Sequence, residues 1–94
     1  MLCIMNKYLV EFLGTLFLSF VIFATGNYLA IGAAVAVAVL LAGSVFKNAA
    51  FNPAITIALL SAGKLSTNDV VPYIVAQIAG ALAGFELVKL LIKK

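Results

Sequence analysis

The sequence predicts an all-α membrane protein: three transmembrane helices plus one re-entrant half-helix, in a single domain over residues 1–94. Three observations carry this. Hydrophobic residues make up 66% of the chain and charged residues only 10%, against about a quarter in a soluble domain. No charged side chain falls between Phe12 and Phe46. Finally, the apolar stretch from Ala49 to Gly63 is too short to cross a hydrocarbon core that needs about 20 helical residues.

The first span covers about residues 8–24. Lys7 ahead of an apolar stretch is also how a signal peptide begins, but this stretch is span-length and holds Glu11 near its start, which a short cleavable core does not suit. Thr25-Gly26-Asn27 breaks the run with turn formers, and the second span, about residues 29–46, is rich in Ala and Val. Lys47-Asn48 interrupts again, and the half-helix follows at about 53–62. Lys64 to Asp69 is a polar connector with helix-capping candidates from Ser66 onward. The third span covers about 70–92, with Pro72 tolerable in its first turn and Lys89, Lys93 and Lys94 suiting the negative end of its dipole. The runs are continuously apolar rather than alternating, which argues against a β-barrel.

Composition excludes several functions. An ordinary soluble enzyme and a disordered segment do not fit this hydrophobicity. The six Lys are scattered and form no basic face, so no nucleic-acid partner is expected despite a pI near 9.3. Cys3 is the single cysteine, and there is no His; neither a metal nor another cofactor is expected.

Asn52-Pro53-Ala54 carries the functional signal. The Asn side-chain oxygen can cap a helix, and the following Pro has its φ preset for a first turn. A helix from Pro53 to about Ala62 would be about 15 Å long, half the hydrocarbon thickness, and would begin near the midplane. Backbone there is tolerated only where it lines water or protein. The extended stretch before Asn52 would then offer a ladder of carbonyl acceptors, the Asn52 amide NH2 a donor to solute, and the buried helix N-terminus a barrier to cations and protons. The tripeptide alone is common; its place after two spans and ahead of a half-length apolar run gives it weight.

The chain resembles the first half of an aquaporin or glycerol facilitator, of the major intrinsic protein family. Glu11-Phe12-Leu13-Gly14-Thr15 is similar to the family's first-span signature, Ala50 to Thr56 to its first Asn-Pro-Ala loop, and Tyr73 to Gly84 to its third span. The resemblance implies an aquaporin-like hemipore. Family members fuse two such halves in inverted orientation, so this single copy implies an antiparallel homodimer with two Asn52 meeting at the midplane. Family habit would group four such pores into an octamer of chains. The implied partners are the lipid bilayer, water and small neutral solutes such as glycerol. Lys7, Lys47 and Lys64 fall on one side of a three-span topology and Lys89, Lys93 and Lys94 on the other, a balance that lets both orientations insert.

There are departures from the family pattern. Its Gly-rich turn and His before Asn-Pro-Ala read Lys47-Asn48-Ala49-Ala50 here, with Asn48 able to take the left-handed conformation. The Arg that follows the family's second Asn-Pro-Ala has Ile55 in its place, and the second-span filter position falls near Gly32, where relatives carry an aromatic. The pore residues are thus Asn48, Ala49, Ala50, Phe51, Asn52, Pro53, Ala54, Ile55 and Gly32, with a wide and lenient filter expected. Glu11 is an intramembrane carboxylate and so a functional candidate. The resemblance gives it a bracing job on the re-entrant loop, shared with Gln77. Two other functions compete: an accessory, non-conducting subunit of another channel chain, and a small proton-coupled transporter using Glu11. Gly80 to Gly84 offers a small-residue face for close helix approach, within a pore unit or between units. Glu86 and Lys89 are spaced to pair on a helix.

Overall fold

The computed structural model describes residues 6–92. Cys3, Lys93 and Lys94 lie outside them. Four helices follow in order: α1 (Lys7–Thr25), α2 (Tyr28–Ala42), α3 (Pro53–Ser61) and α4 (Thr67–Leu91). Each start is held by a polar cap. The side-chain oxygen of Asn6 accepts the Leu9 N–H at 2.9 Å, that of Asn27 accepts Leu29 and Ala30 at 2.9 and 3.0 Å, and that of Ser66 accepts Asn68 at 3.2 Å. Between α1 and α2 only Gly26 and Asn27 are needed, because Gly26 at φ 57 turns its N–H back onto the Ile22 carbonyl at 2.9 Å.

α1 and α4 are long and apolar enough to cross a membrane. α2 is apolar but has 15 residues, about 22 Å, and it ends at Ala42 rather than at Phe46. The N–H groups of Ser44, Val45 and Phe46 fold back onto Leu41 and Ala42 as a turn. The apolar run of the sequence continues past this turn because Val45 and Phe46 are half-buried against the protein. α4 begins at Thr67, three residues earlier than the hydropathy suggests, because Ser66 provides the cap. Pro72 therefore lies beyond the first turn, where it forfeits the bond an N–H would give to the Asn68 carbonyl.

α1 and α4 run parallel in close contact. Lys7 Nζ sits 2.7 Å from the Asp69 carboxylate, which also accepts the Tyr8 hydroxyl at 2.6 Å. Further along, Ser19 Oγ donates to the Ala81 carbonyl at 2.7 Å, and the rings of Phe23 and Phe85 lie 4.9 Å apart. The approach depends on two glycines. A Cβ at Gly80 would stand 2.4 Å from the Phe12 carbonyl oxygen, and one at Gly84 would stand 2.5 Å from that of Leu16. The Gly80–Gly84 face is thus spent within the chain. α2 turns back along α1 on a stripe of Ala34, Ala38 and Ala42. Most of the remaining apolar surface, including Leu40, Leu82 and Leu90, is exposed, as a lipid-facing surface would be.

Candidate functional site

The segment between α2 and α3 is tied down by α1 and α4. Glu11, with no exposed surface, accepts the Ala50 N–H on one carboxylate oxygen and the Phe51 N–H on the other, both at 2.8 Å. The second oxygen also accepts Gln77 Nε2 at 2.7 Å. Gln77 Nε2 in turn lies 2.8 Å from Thr56 Oγ1, and the Thr56 hydroxyl is 3.0 Å from both the Gln77 side-chain oxygen and the Asn52 carbonyl. One carboxylate and one amide thus fasten the first turn of α3 to both long helices. Thr56 was not singled out by sequence reasoning. The available signal was a hydroxyl four residues after the capping Asn, where it can reach back to the Asn carbonyl.

Two non-glycine residues of the loop have positive φ: Asn48 at 66° and Phe51 at 56°. Asn48 suits this conformation, and its Nδ2 donates to the Lys64 carbonyl at 2.9 Å, joining the two ends of the loop and half-helix. Phe51 is a bulky residue in a conformation that disfavours it. It is held there by its N–H on Glu11 and by its ring, which occupies the space a side chain on Gly14 would need: a Cβ there would lie 2.2 Å from the ring. Among the described residues, no group donates a hydrogen bond to the carbonyls of Lys47, Asn48, Ala49, Ala50 or Phe51.

At the tip, Asn52 Oδ1 accepts the Ala54 N–H at 2.8 Å, which caps α3, with Pro53 in the first turn. Asn52 is exposed, and its Nδ2 donates to no described group. It opens onto a groove whose walls include Thr15 and Ser19 of α1 and Gln77 and Ala81 of α4. Thr15 and Ser19 lie eight and twelve residues past Lys7, about 12 and 18 Å along a helix about 28 Å long. The tip is therefore near mid-depth of α1. Ala54 and Ile55 are exposed on α3, Ala49 and Ala50 are half-buried. Gly32 is exposed, with nothing within 4 Å of the position a Cβ would take, and it does not line the groove at Asn52.

These features define a helical integral membrane protein with a half-length helix whose capped, polar start sits between two long helices. The chain belongs to the major intrinsic protein family, whose model matches residues 25–94. It is 41% identical over 93 residues to the glycerol uptake facilitator protein-like 6 of Lactiplantibacillus plantarum, covering 90% of this chain and 43% of that protein. It is 38% identical over 65 residues to the aquaglyceroporin AqpS of Rhizobium meliloti, covering 69% of this chain and 28% of the relative. Aquaporin Z of Rhodopseudomonas palustris is 32% identical over 101 residues, covering 92% of this chain and 42% of the relative. The chain thus spans less than half the length of these relatives. No solved structure matches.

Proposed function

We propose that the chain is a passive, non-enzymatic transmembrane channel for water and small uncharged solutes such as glycerol, its pore formed by two antiparallel copies that each give one Asn-Pro-Ala motif. The observation that carries this is the row of unmatched carbonyls from Lys47 to Phe51 leading to the undonated Asn52 amide at mid-depth. In hydrocarbon such groups are costly; along a file of water or polyols they are matched one after another. The names of the relatives, a glycerol facilitator, an aquaglyceroporin and an aquaporin, support the same solute class.

In this reading α1, α2 and α4 are three spans and α3 is the re-entrant element. The Lys7–Asp69 contact supports that topology, since it puts the starts of α1 and α4 at one end, and α2, which follows α1 in the chain, runs back along α1 toward that end. The equal split of Lys between the two ends supports insertion in both orientations. Four such pores would make an octamer of chains. Asn48, Ala49, Ala50 and Phe51 supply the carbonyl rail, Asn52, Pro53 and Ala54 the tip, and Ile55 and Gly32 an open filter. Glu11 and Gln77 brace the loop. With three donors on its two oxygens, Glu11 suits bracing better than proton coupling.

Proteoliposome shrinkage tests this. The purified chain is expected to speed water and glycerol flux over empty vesicles, and Asn52→Leu is expected to reduce that flux at least about tenfold, because the tip loses its donor and its cap. Flux only in the presence of a second channel chain would instead mark an accessory subunit. Flux driven by a pH gradient and lost in Glu11→Gln would mark a transporter. Tags on both termini are expected to report both orientations; a single orientation would overturn the homomeric pore.

A further inference from the structure

We propose that the Phe51 ring, seated in the notch that Gly14 leaves in α1, is a positioning group for the carbonyl row: it locks the Phe51 backbone in its left-handed turn and so fixes where the loop offers its acceptors to solute. This rests on the channel reading above and adds to it a residue pair that sets solute preference.

The direction of the row follows from peptide geometry. Among the described residues no peptide bond is cis, so each N–H and the carbonyl of the residue before it lie on opposite edges of one plane. The Ala50 and Phe51 N–H groups both face the Glu11 carboxylate, each at 2.8 Å. The carbonyls of Ala49 and Ala50 therefore both leave on the side away from Glu11. Directly afterwards, Asn52 is extended, at φ −160 and ψ 124, and its side-chain oxygen is committed to the α3 cap. The chain must change course between these two fixed pieces, and it does so at Phe51, at φ 56.

Glycine takes such a turn freely, and a phenylalanine there needs a hold. Glu11 fixes only the peptide plane before the turn. The ring supplies the rest: Phe51 is 6% exposed, and a Cβ on Gly14 would lie 2.2 Å from its Cε1 and 2.7 Å from its Cδ1 and Cζ. Packing is not close all round. The ring also borders an apolar recess of about 310 Å³ between α1 and α2, walled by Leu13, Phe17, Leu41 and Val45. Filling the notch therefore leaves the ring somewhere to go, and the backbone turns with it. Water meets one acceptor at a time, whereas the adjacent hydroxyls of glycerol need neighbouring acceptors together. A displaced row thus costs the polyol more than it costs water.

Water and glycerol flux through the same proteoliposomes tests this. Gly14→Ala is expected to keep the fold and to lower the glycerol-to-water ratio about tenfold, the worth of one mismatched acceptor. Adding Phe51→Leu, which lacks the Cε and Cζ atoms that the new methyl would meet, is expected to bring the ratio back to within about threefold of the unaltered chain. Phe51→Gly accepts the left-handed turn and loses only the hold of the ring. It is expected to lower the ratio too, and it decides the matter where Gly14→Ala yields too little folded chain. A misfolded fraction lowers both fluxes alike and leaves the ratio unchanged. Native ratios in these variants, with the unaltered chain conducting, would overturn the positioning role and leave the pore standing. A double variant no better than Gly14→Ala would overturn the pairing of ring and notch. No flux from the unaltered chain would overturn the pore reading itself, and this inference with it.

Discussion

Glu11→Leu is expected to destabilise the chain by about 3 kcal/mol or more and, with it, to abolish the proposed channel activity. The carboxylate is fully buried and accepts three donors: the N–H groups of Ala50 and Phe51 and the Gln77 amide. Leucine fills similar space and leaves all three unmatched, at about 1–3 kcal/mol each. The consequence is larger than a lost brace, because Phe51 holds a left-handed backbone that it would not adopt unaided. Once its N–H is released, the loop before Asn52 has reason to relax, and the α3 tip loses its fixed place. Glu11→Gln keeps the shape but offers one acceptor oxygen where the loop and Gln77 use two, so at least one backbone donor faces an NH2 group. Resistance of the purified chain to denaturing detergent, measured beside flux, checks both variants. A Glu11→Gln chain with native stability and native flux would show that the loop does not depend on the carboxylate.

Gly80→Leu is expected to separate α1 from α4 and to prevent stable folding, at a cost of about 3 kcal/mol or more. The obstacle is backbone, not a movable side chain: the first carbon would stand 2.4 Å from the Phe12 carbonyl oxygen and 3.1 Å from the Leu16 nitrogen. Even Gly80→Ala forces the helices apart. Such a shift breaks the Ser19–Ala81 and Glu11–Gln77 contacts together, since both bridge these two helices. Gly32→Leu is the matching control, because nothing lies within 4 Å of that position, and its effect on stability is expected to stay within about 0.5 kcal/mol. Thermal aggregation in detergent separates the two; equal losses at Gly80 and Gly32 would contradict the tight α1–α4 crossing.

What could be read from the sequence is what acts locally. Asn52 before Pro53 marks a helix start by capping and by a preset φ, and Gly26-Asn27 marks a turn, without any knowledge of the rest of the chain. Asn48 is one of the few residues other than Gly that enters the left-handed region readily. The extent of α2 was not legible, because Val45 and Phe46 are apolar for a different reason: they pack on protein after the helix has ended. Nor was the conformation of Phe51, which is set by Gly14 and Glu11, some forty residues earlier. The same holds for Asp69, which reads as a capping candidate but bonds Lys7 and Tyr8 more than sixty residues away. Glu11 and Gln77 are legible as polar residues in apolar runs, and the family resemblance gives them a bracing job on the loop; that they share one network with Thr56 depends on the parallel packing of α1 and α4.

The most direct test of the antiparallel, tip-to-tip pore is a pair of spin-label distances in lipid vesicles. Labels at Ala54→Cys, beside the tip, and at Ser61→Cys, at the far end of α3, are each placed in a Cys3→Ser chain. Two half-helices meeting head to head put the labels at 54 close together and those at 61 about 21 Å further apart, twice the rise of seven residues. Equal separations at both positions, or no coupling between chains at either, would contradict it.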